Sequence, residues 1–156
     1  MKMLKKMFPI IIFLFLSSCG YEAIHSKKNA INYDFSISKL DFTGDREINS
    51  KIKKKLDSYM SVKREKNFSL NISSSSEKIV ISKNISGNAM SFKAKITLNV
   101  TVLLDNIIKD NLIIVEDFNY NNNSNNFDLK RYEKEIINNL TETSVEKLIF
   151  KLSNIR

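Results

Sequence analysis

Met90, Phe92, Ala94, Ile96, Leu98, Val100 and Val102 occupy every second position, and Ser91, Lys93, Lys95, Thr97, Asn99 and Thr101 fill the gaps. A period of two sustained over this length predicts a long antiparallel strand with one core face and one polar face. A shorter alternation sets Tyr33, Phe35 and Ile37 against Asp34, Ser36 and Ser38 and predicts a half-buried strand. Phe68, Leu70 and Ile72 share one parity, whereas Ile79 and Ile81 take the other, across Ser73, Ser74, Ser75 and Ser76. One long strand bulged in the serine run reconciles them, because an inserted residue flips every later side chain. Two strands joined by a tight turn are the alternative. Residues 112–120 predict a further strand.

The period lengthens to that of a helix in two places. Ile48, Ile52, Leu56 and Tyr59/Met60 mark an amphipathic helix of about four turns, with Lys51, Lys53, Lys54 and Lys55 between them. Thr43, Gly44 and Asp45 break the preceding strand, and the Asp45 carboxylate is placed to accept from the free N–H groups of the first turn. Leu129, Tyr132, Ile136, Leu140, Leu148 and Leu152 mark a second helix over about 128–152, whose stripe residues 141–144 interrupt with a predicted bend or frayed turn. Gly87-Asn88 is a turn signal, as is Asp105-Asn106 or Lys109-Asp110-Asn111. Residues 119–126 are nearly all Asn and predict a solvated loop. The order β-α-β-β-β-α, with helices segregated from antiparallel strands, predicts an α+β two-layer sandwich. Two helices should pack on one face of a four-stranded, mostly antiparallel sheet and leave the other face polar and open.

Upstream of these elements the pattern is different. Lys2, Lys5 and Lys6 precede an apolar run over residues 7–16, then Ser17, Ser18 and Cys19. As a helix the run would reach about 15 Å, half of what a bilayer core requires. This is the form of a cleaved export signal. Leu16-Ser17-Ser18-Cys19 resembles a bacterial lipobox, in which the cysteine thiol is lipidated and becomes the mature N-terminus. Cys19 is the chain's one cysteine, so no intramolecular disulfide is available to it. The expected organisation is a lipoprotein signal over residues 1–18, a lipidated tether over 19–32 and a single α+β domain over 33–156. Gly20, rather than Asp, favours the periplasmic face of the outer membrane as the destination. Loss of the signal removes three lysines and no acid, so the formal charge falls from +8 to +5. A mildly basic exported domain suits an anionic lipid or protein surface; nucleic acid is not an expected partner. The glycosylation patterns at Asn71, Asn84, Asn99 and Asn139 are what an Asn- and Ser-rich chain produces by chance.

The residues speak against catalysis, and no cofactor or metal is expected. The one histidine, His25, lies in the tether, which is a poor place for a positioned base. No His, Cys or acidic cluster has zinc-ligand spacing. Glu116-Asp117 and Glu133/Glu135 read as solvated carboxylates. Lys93 and Lys95 share the polar strand face with Ser91 and Thr97. They are candidate contacts to lipopolysaccharide phosphates, against the plainer role of keeping an exposed β surface soluble. The lysines at 51, 53, 54 and 55 are a solvated helix face or an approach to an anionic membrane.

Several stretches together resemble the LPS-assembly lipoprotein family. They are Cys19-Gly20-Tyr21 at the start; Ile37 to Ile48, with Gly44-Asp45-Arg46 before the helix; the meander around Gly87; and Asn119-Tyr120-Asn121 followed by Asn126-Phe127 and the last helix. Asn125-Asn126 stand where related chains often carry a proline before the Phe, and the tether lacks the family's small-residue run. The resemblance implies an outer-membrane lipoprotein that scaffolds and plugs a lipopolysaccharide-transport β-barrel, assists delivery of lipopolysaccharide, and touches it through basic residues. A free lipid- or peptide-binding lipoprotein and a cell-wall hydrolase are the competing classes.

Overall fold

The computed structural model describes residues 34–155. The expected signal, the lipidation at Cys19, His25 and the tether lie outside the described residues. The elements run β1 (Phe35–Gly44), α1 (Arg46–Met60), β2 (Lys66–Lys83), β3 (Ala89–Leu104), β4 (Ile107–Asn121) and α2 (Asn126–Ser153). The sheet order is β1-β2-β3-β4. β1 and β2 are parallel across the α1 crossover, and the other two pairings are antiparallel. The fold is therefore α+β, with two helices on an open mixed sheet, as the chain's periodicities predict.

α1 covers β1, and α2 covers β3 and β4. Between the layers lie Ile37, Ile48, Ile52, Leu56, Phe68, Leu70, Ile72, Ile96, Leu98, Val100, Leu148 and Leu152, almost fully buried. Phe92, Ala94, Tyr120, Leu129 and Ile136 form a second, smaller cluster beneath the first half of α2. Tyr59 stacks on Phe35 with ring centroids 5.2 Å apart, while Met60 stays exposed.

Four local expectations are corrected. First, β2 is one strand with unbroken pairing through the serine run, from Ile72 opposite Val100 to Val80 opposite Phe92. No bulge restores Ile79 and Ile81 to the core: both are exposed. Ile79 lies opposite Lys93 and so shares the face away from the helices, and Ile81 sits at the register shift between Val80 and Ser82. β1 ends beside Ser74, which leaves even Val80, opposite the buried Phe92, without cover. β2 shifts register only past Val80, beyond the serine run, and the bulge that changes parity within the core lies in β1, between Ile37 and Lys39. It turns Leu40 and Phe42 toward the core.

Second, of the two predicted turns Asp105-Asn106 is the one that forms, and only the start of β4 is corrected. Both residues have positive φ (52° and 64°), as a two-residue hairpin turn needs, and β4 begins at Ile107, earlier than predicted. Third, residues 119–121 belong to β4, because Asn119 and Asn121 pair with Lys93 and Ser91. The loop shrinks to residues 122–125, and Asn125 caps α2 by accepting from Phe127 and Asp128.

Fourth, α2 runs unbroken through residues 141–144. Thr141 and Ser144 are buried, and their hydroxyls donate back to the carbonyls of Ile137 (2.7 Å) and Leu140 (2.8 Å). Returning each hydroxyl to its own helix lets polar residues face the core without unsatisfied groups.

Candidate docking surface

Strand pairing decides which side chains share the face away from the helices. Residues directly opposite in an antiparallel pair point the same way, so Glu77 and Ile79 of β2 join Lys95 and Lys93 of β3. Across the other seam, Asp117, Val115 and Ile113 of β4 join Lys95, Thr97 and Asn99. The predicted set Ser91, Lys93, Lys95 and Thr97 is thus brought together on one open face, in mid-sheet.

The electrostatics of that face are those of a balanced ladder. Lys95 Nζ lies 3.7 Å from Glu77, and Lys93 Nζ 3.5 Å from Asp117. Each lysine meets an acid on a different neighbouring strand. Hydroxyl and amide contacts extend the ladder, with Ser82 to Ser91 at 2.6 Å and Thr101 donating to Asn111 at 3.0 Å. An incoming phosphate would compete with carboxylates already in place. The strength of such exposed pairs is modest, about 0.2–1 kcal/mol each, so a better ligand can open them.

The face is less polar than expected. Ile113 is 66% exposed and Val115 46%, and Ile79 adds a third aliphatic beside Lys93. The β4 pair is not among the predicted open-face residues, although Leu112, Ile113, Ile114 and Val115 carry the signal. Four apolar residues in a row on one strand must put two on each face.

The other candidates are drawn into structural contacts. Glu116 and Asp117 point to opposite faces, and Glu116 engages Lys147 of α2 at 2.5 Å. Glu133 accepts from Tyr120 and pairs with Lys78. In the α1 cluster, Lys51 bonds to Glu47 (2.9 Å) and to Asn138 of α2, and Lys55 lies 3.3 Å from Glu142 of α2. Two of the four lysines thus tie the helices together rather than forming a uniform solvated face.

A cup of about 890 Å³ opens where the Asn-rich loop meets α2, lined by Asn121, Asn123, Asp128, Arg131, Tyr132 and Glu135. Arg131 is held there by Asp128 at 3.4 Å.

No protein-family model matches the chain, and no curated protein matches it in sequence. Solved structures do match in fold. The rare lipoprotein B from Shewanella oneidensis superposes with a TM-score of 0.58 at 13% identity, covering 74% of this chain and 93% of that one. A lipoprotein B from Nitrosomonas europaea gives 0.58 at 15%, covering 78% and 86%. A minor lipoprotein from Acinetobacter baumannii gives 0.59 at 7%, covering 78% and 91%. At identities this low the superpositions show a shared fold and nothing more.

Proposed function

We propose that the chain is a lipid-anchored, non-catalytic protein of the outer membrane. In this reading it docks through its open sheet face to a lipopolysaccharide-transport β-barrel and assists lipopolysaccharide assembly. The observation that carries the reading is a coincidence of two independent features. The fold is shared with proteins described as lipoproteins from three bacteria, and the sequence upstream of it carries Leu16-Ser17-Ser18-Cys19. The face available for docking has the makeup of a protein interface, with aliphatic Ile113, Val115 and Ile79 around a stripe of hydroxyls and paired charges. The carboxylates at 116, 117 and 133 serve ion pairs and a phenol hydrogen bond, which supports a scaffold over a hydrolase.

Photo-crosslinkers placed in turn at Ser91, Lys93, Lys95 and Thr97 test it in the native envelope. The expected product is an adduct with a large outer-membrane barrel, and depletion of the lipoprotein should leave that barrel misfolded. Crosslinks to no protein, together with a barrel that folds normally on depletion, overturn the proposal. A second reading, a free lipid-binding lipoprotein, draws on the same exposed aliphatics. It predicts lipid binding by the purified protein without any barrel.

A further inference from the structure

We infer that the end of the domain where the chain enters β1 rests on the bilayer surface, with the β3–β4 turn as its point of contact. The inference builds on the lipid-anchor reading above. Pairing of Phe35 with Lys66 and of Phe68 with Leu104 puts the start of β1, the connection from α1 to β2, and the β3–β4 turn at one end of the sheet. That end presents apolar side chains to solvent on both segments. Ile107 and Ile108 follow the turn at 63% and 59% exposure, and Met60 and Val62 stand at 39% and 43%.

The opposite end also has exposed apolar residues, Ile85 at the β2–β3 turn above all. Chain length decides between the two. Fourteen residues lie between Cys19 and Asp34, so the chain between the two spans at most about 54 Å. β3 has 16 residues, about 54 Å of strand. A thiol fixed in a bilayer therefore keeps the β3–β4 end within easy reach of lipid. It could touch the β2–β3 end only by running fully extended back along the sheet. Confinement by the anchor raises the local concentration of bilayer around the near end, so a shallow contact by two isoleucines suffices.

The charges there cancel. Lys63, Arg64, Lys66 and Lys109 are offset by Asp34, Glu65, Asp105 and Asp110. The partner that fits is thus a phospholipid surface met by apolar side chains, with no requirement for anionic head groups.

The chain has no tryptophan, so a single indole is a clean reporter. Full-length acylated protein carrying Ile108→Trp, and separately Ile85→Trp, is reconstituted into phosphatidylcholine–phosphatidylethanolamine vesicles with brominated acyl chains. The indole at 108 should be quenched at least about twofold more than that at 85. Ile107→Trp supplies a second reporter should the first disturb the turn, and thermal melts confirm that each variant is folded. Vesicle-bound protein with both indoles unquenched, or with 85 the more quenched, overturns the inference and leaves the anchor intact. A photo-crosslinker at 108 that captures protein in place of lipid in native envelopes overturns it likewise. Protein that fails to float with vesicles and takes no palmitate at position 19 defeats the anchor, and this inference with it.

Discussion

Tyr120 donates its hydroxyl to Glu133 at 2.9 Å, tying the last turns of β4 to the first half of α2. The same carboxylate oxygen receives Lys78 from β2 at 2.5 Å. Lys78 also lies 3.9 Å over the Phe92 ring. Three strands and a helix thus meet at one polar knot beside the smaller apolar cluster.

The knot makes a prediction about pH. Burial first, then the hydrogen bond to Glu133 and its negative charge, push the Tyr120 phenol well above its ordinary value of 10.0. A group whose folded pKa is raised contributes stability that is fully present below the unfolded value and lost as pH rises through the folded one. One of the five tyrosines should therefore ionise late in an ultraviolet titration. Tyr120→Phe should remove that late step, cost about 1 kcal/mol at neutral pH, and weaken the alkaline fall in stability above about pH 10. A phenolate titration in which all five tyrosines ionise together would contradict the assignment.

Gly44 packs closely against the backbone of β2. Its φ is +89°, and a Cβ built there would lie 1.9 Å from the carbonyl oxygen of Ser74. The approach is needed because the next residue, Asp45, donates its N–H to that oxygen at 3.1 Å. Gly44→Ala should cost about 2–3 kcal/mol, from the left-handed backbone together with the displaced β2 carbonyl. Gly87 also has positive φ, but open space surrounds it, so Gly87→Ala should cost only about 1 kcal/mol. Chemical denaturation of the two variants side by side separates steric contact from backbone preference.

These sites show what the chain discloses before it folds. Alternation in β3 and helical spacing in α1 were legible because β3 buries one face from Phe92 to Val102 and α1 one stripe from Ile48 to Leu56. Burial and period coincide there, while Met90 and Met60 at the ends stay exposed. Ile79 and Ile81 misled for the converse reason. Ile79 points to the open face and Ile81 sits at a register shift, on a part of β2 that outruns β1, where an apolar residue does not imply a core. Thr141 and Ser144 misled because a hydroxyl returned to its own helix satisfies itself, a solution that polarity alone does not announce. The open-face set Ser91, Lys93, Lys95 and Thr97 followed directly from strand parity. Their acidic partners, Glu77 and Asp117, required the register, which a single sequence does not specify.

Asp45 gives an acid counterpart to Tyr120. Burial works to raise its carboxyl. Donation from the Ile48 N–H, the Ser76 hydroxyl and the Glu47 N–H, with Lys51 nearby, outweighs that and leaves it below the ordinary value of 3.8. A lowered folded pKa contributes stability above the unfolded value and loses it as pH falls through the folded one. Asp45→Ala should cost about 1 kcal/mol near neutrality, as the loss of a helix N-cap does. Asp45→Asn keeps an accepting oxygen but no charge. Its deficit against the parent should be smaller at neutral pH and should vanish as pH falls below about 3.8. Urea melts at pH 7 and pH 3 check both statements. A deficit that is the same at the two pH values would assign the effect to packing instead.

β4 carries its own control for the docking surface. Leu112 and Ile114 face the helices and are 8% and 3% exposed, whereas Ile113 and Val115, between and beside them, face outward at 66% and 46%. Leu112→Ala or Ile114→Ala should destabilise by about 2–4 kcal/mol, because each removes buried methyl groups and leaves a cavity. Ile113→Lys and Val115→Lys remove nothing from the core and should change stability by less than about 0.5 kcal/mol. If the outward face docks to a barrel, the same two lysines should sharply reduce barrel recovered with the lipoprotein in mild detergent, since each would bury an unpaired charge at the interface. Neighbouring positions on one strand would then separate folding from docking. Unchanged recovery with both outward lysines in place would remove this face from the interface, even while the core variants melted early as expected.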